Sequence, residues 1–157
     1  MKFSASRLES YDLFVTHEIV LVDGRTTFKR VKKPRSFKNP SVYVWASLSS
    51  GANEYEVLYV GKAGKGIDQR CSQHQSGFTN SGTGRKNAEA LKATLDVEGA
   101  EIHVFSRESR TIEIFGQEVL LYSVEEDALC AALNPRLNRA AFPVVGVATV
   151  TEALLEA

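Results

Sequence analysis

The fold of this chain is decided by two segments, Ser41-Val42-Tyr43-Val44-Trp45-Ala46 and Glu56-Val57-Leu58-Tyr59-Val60-Gly61. Both segments are rich in the β-branched and aromatic residues that favour strands. The residues between them, 49–53, are mostly polar and include a glycine, as is typical of a connecting loop. We therefore predict that the two segments pair as antiparallel strands.

The segments that follow predict helices and one more strand. Gly64-Lys65-Gly66 breaks the chain before a first helix, Gly77 is placed as the C-terminal stop of that helix, and residues 78–84 are predicted to be flexible. In chain order, the predicted elements are a helix at 67–75, a helix at 86–98, a strand at 101–105 and a mostly helical segment at 119–133. This order predicts the α/β (α+β) class, as a small sandwich in which a three-stranded antiparallel sheet is flanked by helices.

The first forty residues predict an appendage made of a β-hairpin and a basic arm. β-Prone residues lie on both sides of Asp23-Gly24, a dipeptide that favours a tight hairpin turn. Residues 29–38 then carry six cations and no anion, and Pro34 keeps this stretch from being helical. Such a stretch suits the phosphate backbone of a nucleic acid, and a solvated linker accounts for it equally well. We predict that the arm, a central domain and a C-terminal tail occupy residues 1–38, 39–139 and 140–157.

The composition excludes several classes of protein. The chain has 157 residues, of which 43% are hydrophobic and 24% charged, and this is the composition of a folded globular domain. No apolar run approaches the roughly 20 residues that span a bilayer, so no membrane partner is expected. Cys71 and Cys130 stand alone, without the spacing of a zinc module or a disulfide framework. We therefore expect a cytoplasmic protein.

Charge is distributed unevenly along a chain whose net charge is zero. Residues 24–93 contain 13 lysines and arginines and 4 acidic residues. Residues 94–135 contain 2 lysines and arginines and 9 acidic residues. Such an asymmetry can place positive charge on one face, which is the kind of surface that a nucleic acid contacts. The alternative is an uneven surface that only water contacts.

Candidate catalytic residues lie near the second strand and the first helix. Arg70 and His74 are four residues apart, so both project from one face of the helix. Arginine can hold a phosphate with a planar fork of donors, and histidine can accept a proton or a hydrogen bond. Tyr59 and Gly61 end the strand before this helix, although a tyrosine in a strand is more often a packing residue.

Glu126 is the candidate carboxylate for a metal ion. Mg²⁺ often takes only one or two protein carboxylates and fills its other positions with water and substrate oxygens. Ser123 and Glu126 also fit a capping box, in which Glu126 would only bind a backbone N–H group at the start of a helix. Spacing leaves both roles open, and Glu125 or Asp127 could take either of them.

Taken in order, these motifs resemble the GIY-YIG endonuclease domain over about residues 39–139. The matching residues are Ser41-Val42-Tyr43, Tyr59-Val60-Gly61-Lys62-Ala63, Arg70, His74, Glu126 and Asn134-Pro135-Arg136-Leu137-Asn138. The Tyr-Val-Gly-Lys-Ala motif is similar to that of the excision-repair nuclease members. The twelve-residue step from Glu126 to Asn138 matches the family's metal-binding glutamate and closing asparagine. Ser41 and Val42 depart from the usual glycine and isoleucine of the first motif, whereas the tyrosine is kept.

The resemblance implies a DNA endonuclease that uses one Mg²⁺ or Mn²⁺ ion. Such an enzyme hydrolyses phosphodiester bonds by attack of an in-line water and leaves 5′-phosphate and 3′-hydroxyl ends. By the same resemblance, Tyr59 is expected to be the general base. Tyr43, Lys62 or His74 would help to draw off its proton.

The remaining matched residues would bind the phosphate and the metal ion. Arg70 is expected to hold the scissile phosphate, Glu126 to bind the metal ion and Asn138 to orient the site through hydrogen bonds. The basic residues predicted to bind DNA are Arg30, Lys32, Lys33, Arg35, Lys65, Arg85 and Lys86. Specificity would come from the arm, the long loops, a homodimer or a separate recognition partner. The alternative function is a catalytically inactive nucleic-acid-binding module of the same fold.

Overall fold

A computed structural model describes residues 2–31 and 38–138 of the chain. In chain order, its elements are β1 (Lys2–Ser4), α1 (Ala5–Ser10), β2 (Phe14–Val22), β3 (Arg25–Arg30), β4 (Ser41–Leu48), β5 (Glu54–Ala63), α2 (Ile67–Asn80), α3 (Gly82–Leu95), β6 (Glu101–Glu108), β7 (Thr111–Ile114), β8 (Gln117–Leu120) and α4 (Tyr122–Leu133). None of the helices in these two ranges is long and apolar enough to cross a membrane. The predicted residues Lys32, Lys33 and Arg35 of the arm lie outside the described residues.

The main sheet has six antiparallel strands in the order β1-β5-β4-β6-β2-β3. The mixed α/β class is confirmed, and the predicted pairing of β4 with β5 is present, but the three-stranded sheet is wrong. The β2–β3 hairpin is also present as predicted, with positive φ angles of 51° at Asp23 and 75° at Gly24. It extends the sheet because β2 pairs with β6, where Phe14 lies opposite Ser106. Local sequence patterns do not indicate that β2 pairs with β6, because the two strands are far apart in the chain. The division of the chain into three parts stays a prediction.

Helices cover both faces of the sheet. The core on one face contains Ile67, Cys71 and Phe78 of α2 with Leu91 of α3. The core on the other face contains side chains of α1 and α4. Between them, β4 is buried along nearly its whole length. This double burial explains why β4 reads as a nearly continuous run of apolar residues.

The junction between α2 and α3 differs from the sequence prediction. Helix α2 continues through Gly77 to Asn80, and α3 begins at Gly82, so residues 78–84 do not form the predicted flexible stretch. Two contacts explain the difference. Phe78 is buried in the core, and the Ser81 hydroxyl caps α3 by accepting a hydrogen bond from the Gly84 N–H at 2.9 Å. The segment predicted as mostly helical at 119–133 likewise begins with the end of β8, and its helix starts only at Tyr122.

Candidate active site

A cleft of about 390 Å³ lies at the edge of β5, between α2 and α4. Strand β5 supplies one wall, α2 the opposite wall, the start of α3 one end, and α4 with residues 137–138 the remainder. Five of the seven predicted catalytic residues line it: Tyr59, Arg70, His74, Glu126 and Asn138. The other two, Tyr43 and Lys62, contact residues of this group. The structure therefore brings together residues from parts of the chain that are far apart in sequence.

A chain of hydrogen bonds runs through the fully buried Tyr43 behind the cleft. Its hydroxyl lies 2.5 Å from His74 Nε2, and Arg70 Nε donates to the same hydroxyl at 3.3 Å. Burial, helped by the neighbouring Tyr59, raises the pKa of Tyr43 well above its usual value, so this phenol keeps its proton. Tyr43 therefore donates to His74 Nε2, and the proton of the neutral imidazole lies on Nδ1.

Arg70 is the phosphate-binding candidate that the cleft presents. The Arg70 guanidinium is half-buried, with Nε held by Tyr43 and Nη1 donating to Gln73 Oε1 at 3.1 Å. Burial alone would lower the pKa of Arg70, but the hydroxyls of Tyr43 and Tyr59 more than compensate and raise it. The side chain is thus permanently charged and held in one orientation beside the cleft.

His74 is a neutral imidazole in an aromatic environment. Its ring centroid lies 4.8 Å from that of Trp45, 5.6 Å from that of Tyr59 and 5.8 Å from that of Tyr43. Burial, followed by the positive charge of Arg70, lowers the pKa of His74 to about 3. At neutral pH, His74 therefore serves as a hydrogen-bond partner of Tyr43 and carries no charge.

The buried His74 makes stability depend on pH. An unfolded histidine has a pKa of about 6.5, so the unfolded chain binds a proton below that pH while folded His74 stays neutral down to about pH 3. The free energy of unfolding should therefore fall as the pH decreases through this window, by about 2 kcal/mol from this residue between pH 8 and pH 5. Urea unfolding at the two pH values measures the effect. His74→Gln should remove about that much of the difference, and an unchanged difference would contradict the assigned burial of the imidazole.

Gly61 makes room for the buried tyrosine. It lies directly opposite Tyr43 in the β4–β5 ladder. A Cβ atom at this position would overlap the hydroxyl and ring of Tyr43, and it would lie only 2.9 Å from Tyr43 Cε1. The glycine of this motif is thus required by the packing of the neighbouring tyrosine.

Gly61→Ala is expected to destabilise the protein by at least about 2 kcal/mol, since Tyr43 is enclosed and cannot move aside freely. It should also impair the site, because Tyr43 holds both Arg70 and His74. Gly82→Ala at the start of α3 is the matched control, because nothing lies within 4 Å of its added Cβ. Thermal or urea unfolding of both variants checks the prediction, and equal midpoints for the two would refute it.

Helix α4 resolves the open question about Glu126. The helix begins at Tyr122 with Leu121 as its N-cap, so Ser123 and Glu126 do not form a capping box. Glu126 instead faces the cleft with a relative exposure of 9%. Burial raises the pKa of its carboxyl, and the nearby Lys62 ammonium opposes that rise. Lys62 is itself held at the helix start, where its Nζ donates to Ser123 Oγ at 3.2 Å.

The two carboxylates beside Glu126 have other surroundings. Glu125 accepts a hydrogen bond from the Arg110 backbone N–H at 2.9 Å and forms an ion pair with Arg107. Glu125 thus holds the end of β6 against α4. Asp127 is exposed to solvent. Of the three consecutive acidic residues, only Glu126 lines the cleft.

The side chains that line the cleft fit a hard cation, such as Mg²⁺, that takes few of its ligands from the protein. Residues 2–31 and 38–138 contain no group of three or more His, Cys, Asp and Glu side chains that could enclose a metal ion. The cleft offers one buried carboxylate, and Mg²⁺ is commonly bound by one or two carboxylates with water and phosphate oxygens in its other positions. Glu126 is therefore the residue that would hold the ion.

Asn138 closes the cleft by binding the part of β5 that lies beyond its pairing with β1. Its Oδ1 accepts from the Val60 N–H at 2.9 Å, and its Nδ2 donates to the Val60 carbonyl at 2.8 Å. The Leu137 N–H donates to the Leu58 carbonyl at 2.7 Å in the same run. Asn138 thus acts on the backbone next to Tyr59 and positions that residue.

Among the described residues, the four predicted DNA-binding side chains have different surroundings. Lys65 lines an extension of the cleft with Lys62 and Arg70. Arg85 and Lys86 are exposed on α3. Arg30 forms an ion pair with Asp68 of α2.

Sequence reasoning missed Gln73, which lines the cleft and orients Arg70. Its position three residues after Arg70, on the same helix face, was the available signal.

Comparisons with known proteins bear on the fold. No protein-family model and no curated protein sequence matches the chain. The chain is similar to bacteriophage T4 EndoII, solved as a mutant, with a TM-score of 0.63 and 16% identity over 85% of this chain and 97% of that chain. It also matches the restriction endonuclease HPY188I, solved in complex with product DNA, with a TM-score of 0.46 and 14% identity over 84% of this chain and 78% of that chain. This chain has the fold of EndoII.

Proposed function

We propose that this chain is a DNA endonuclease of the GIY-YIG type that uses one divalent metal ion. The observation that carries the proposal is the cleft, where Tyr59, Arg70 and Glu126 converge from β5, α2 and α4. A nucleophile-activating group, a phosphate-binding cation and a metal-binding carboxylate are groups that metal-assisted phosphodiester hydrolysis can use. The proposal is also supported by the fold that this chain shares with EndoII, a protein named as an endonuclease.

The chain's own residues divide the reaction between them. Arg70 binds the non-bridging oxygens of the scissile phosphate and stabilises the negative charge that grows on them. Tyr59, partly exposed in the cleft, takes a proton from the attacking water as its own phenolic proton passes to solvent. The water oxygen bonds to phosphorus, the bond to the 3′ oxygen breaks, and that oxygen takes up a proton from solvent water. A divalent ion bound by Glu126 would supply Lewis-acid stabilisation of the phosphate and the leaving oxygen.

Tyr59→Phe is expected to lower the cleavage rate by about a hundredfold or more, because it removes a single hydroxyl from the proposed general base. The ring remains, and its packing on Trp45, with centroids 4.5 Å apart, should keep stability nearly unchanged. Tyr55→Phe is the matched control, since the Tyr55 hydroxyl bonds His103 and the residue is not among those lining the cleft. Single-turnover cleavage of a labelled duplex measures both variants. Normal cutting by Tyr59→Phe would assign water activation to another group.

Supercoiled plasmid provides the direct test of the proposed function. The full chain is incubated with plasmid in Mg²⁺, in Mn²⁺ and in chelator, and nicked and linear products are followed with time. The proposal predicts nicking only with metal ion, with 5′-phosphate and 3′-hydroxyl ends. Binding of DNA without nicking would instead establish the inactive binding module, and an absence of binding would exclude both functions.

A further inference from the structure

Helix α2 presents a line of uncharged polar side chains to solvent between two grooves. The exposed residues of α2 are Gln69, Ser72, Gln73, Gln75, Ser76, Thr79 and Asn80. None of these is charged, although 24% of the chain is charged. Gln69, Ser72, Gln73, Ser76 and Asn80 follow the helical spacing of three and four residues, so they form one stripe, which we call the polar ridge.

One side of the polar ridge borders the catalytic cleft. Arg70, Gln73, His74 and Gly77 of α2 line that cleft. The side chains that would hold the scissile phosphate are therefore immediately next to the ridge.

The other side of the polar ridge borders a second groove, of about 660 Å³, which we call the outer groove. Its walls are the β2–β3 turn, the side of α2 that carries Ser72 and Ser76, and the side of α3 that carries Arg85, Ala88, Glu89 and Lys92. The groove is lined by three cationic side chains, one carboxylate and several hydroxyl groups. The cations are Arg25, Arg85 and Lys92, and the carboxylate belongs to Glu89. Arginine, lysine, serine and threonine are the side chains that most often contact DNA phosphates.

The diameter of an α-helix matches the width of the major groove of a DNA duplex. An α-helix with its side chains is about 10–12 Å across. The major groove of B-DNA is about 12 Å wide and accepts an α-helix between its two phosphate backbones. Glutamine and asparagine form paired hydrogen bonds with adenine in that groove, and serine bonds to several bases.

From these observations we infer that α2 enters the major groove of DNA with its polar ridge against the base edges. The cleft then binds one phosphate backbone, and the outer groove binds the opposite one. The inference rests on the proposed function, because that function makes DNA the substrate. It adds that α2 recognises the base sequence next to the bond that the cleft cuts.

Binding selection without cleavage tests the inference. The full chain is mixed, in chelator, with a library of random-sequence duplexes, and the bound duplexes are sequenced. The ridge variant combines Gln69→Ala with Asn80→Ala, which leaves Gln73 and its bond to Arg70 in place. The groove variant combines Arg25→Glu with Lys92→Glu. Lys2→Glu, on β1 at the opposite edge of the sheet, is the control for charge reversal.

The two variants should fail in different ways. The ridge variant should lose about tenfold in discrimination between preferred and other duplexes, with little change in binding to the others. The groove variant should bind all duplexes at least about tenfold more weakly, and the salt slope of its binding should fall by about two. Wild-type protein should protect guanine N7, a major-groove atom, from methylation in its preferred duplex. Lys2→Glu should behave as wild type.

The outcomes separate this inference from the proposed function. Binding without sequence preference, an unchanged preference in the ridge variant or unprotected guanine N7 overturns the inference, even if plasmid is nicked normally. Sequence-selective binding that depends on the ridge upholds it, even if no metal-dependent cleavage occurs. Failure of the wild-type chain to bind DNA overturns both.

Discussion

Replacing Glu126 by glutamine is expected to lower the rate of DNA cleavage in Mg²⁺ or Mn²⁺ by about a thousandfold or more. Glutamine keeps the shape of the side chain but lacks the anionic oxygen that a hard cation prefers. Losing the ion removes several kcal/mol of transition-state stabilisation. The variant should stay folded, because Glu126 does not cap α4 and its buried charge is already disfavoured by burial. It should bind DNA as well as wild type or better, since a negative charge has left the cleft.

Asp127→Asn is the matched control for this prediction. It makes the same change of charge one residue further along α4, at a side chain that is exposed and does not line the cleft. Near-normal cleavage is expected, measured as product formed per minute from labelled duplex. Glu125 is a poorer control, because its ion pair with Arg107 gives it a structural role. An inactive Asp127→Asn beside an active Glu126→Gln would mean that the match between Glu126 and Asn138 is in the wrong register.

Replacing Arg70 by alanine is the second large effect expected. Cleavage should fall by about a thousandfold or more, because an arginine that stabilises the charge of a phosphoryl transition state contributes about that much. The structure shows a half-buried guanidinium that binds the Tyr43 hydroxyl, so a cost of about 1 kcal/mol in unfolding free energy is expected as well.

Arg70→Lys separates charge from geometry. Lysine retains the positive charge but loses the planar fork of donors that can contact Tyr43, Gln73 and a phosphate together. Its cleavage rate should therefore remain well below that of wild type, while its DNA affinity stays close to normal. An Arg70→Ala variant that melts early yet cuts at the normal rate would show that Arg70 is structural only.

The centre of the fold could be predicted from sequence. Strands β4 and β5 could be predicted from the sequence because each contains a run of mostly β-branched and aromatic residues. Burial of a strand on both faces selects such a run. The tight turn at Asp23-Gly24 was readable because its two positive φ angles require particular residue types. The six-stranded sheet was not readable, since β2 pairs with β6, and the elements from β3 to α3 separate these two strands along the chain.

The candidate site could be predicted as a set of residues but not as an arrangement. The order of the motifs named Tyr59, Arg70, His74, Glu126 and Asn138, and all five line one cleft. The capping box of Glu126 remained an equal alternative until the start of α4 was known to be Tyr122. Helix boundaries depend on tertiary contacts, such as the buried Phe78 that carries α2 beyond Gly77.

The sequence by itself determined the chemistry available to this protein: a strand pair ending in a glycine, an Arg–His pair on one helix face and a row of three carboxylates. Side-chain identity and short spacing carry that information because they act within one strand or one helical turn. Only the tertiary structure decided which carboxylate enters the cleft, that Tyr43 lies behind it, and that α2 separates two grooves. These properties depend on which buried surfaces pack together, and packing joins residues that the chain itself keeps far apart.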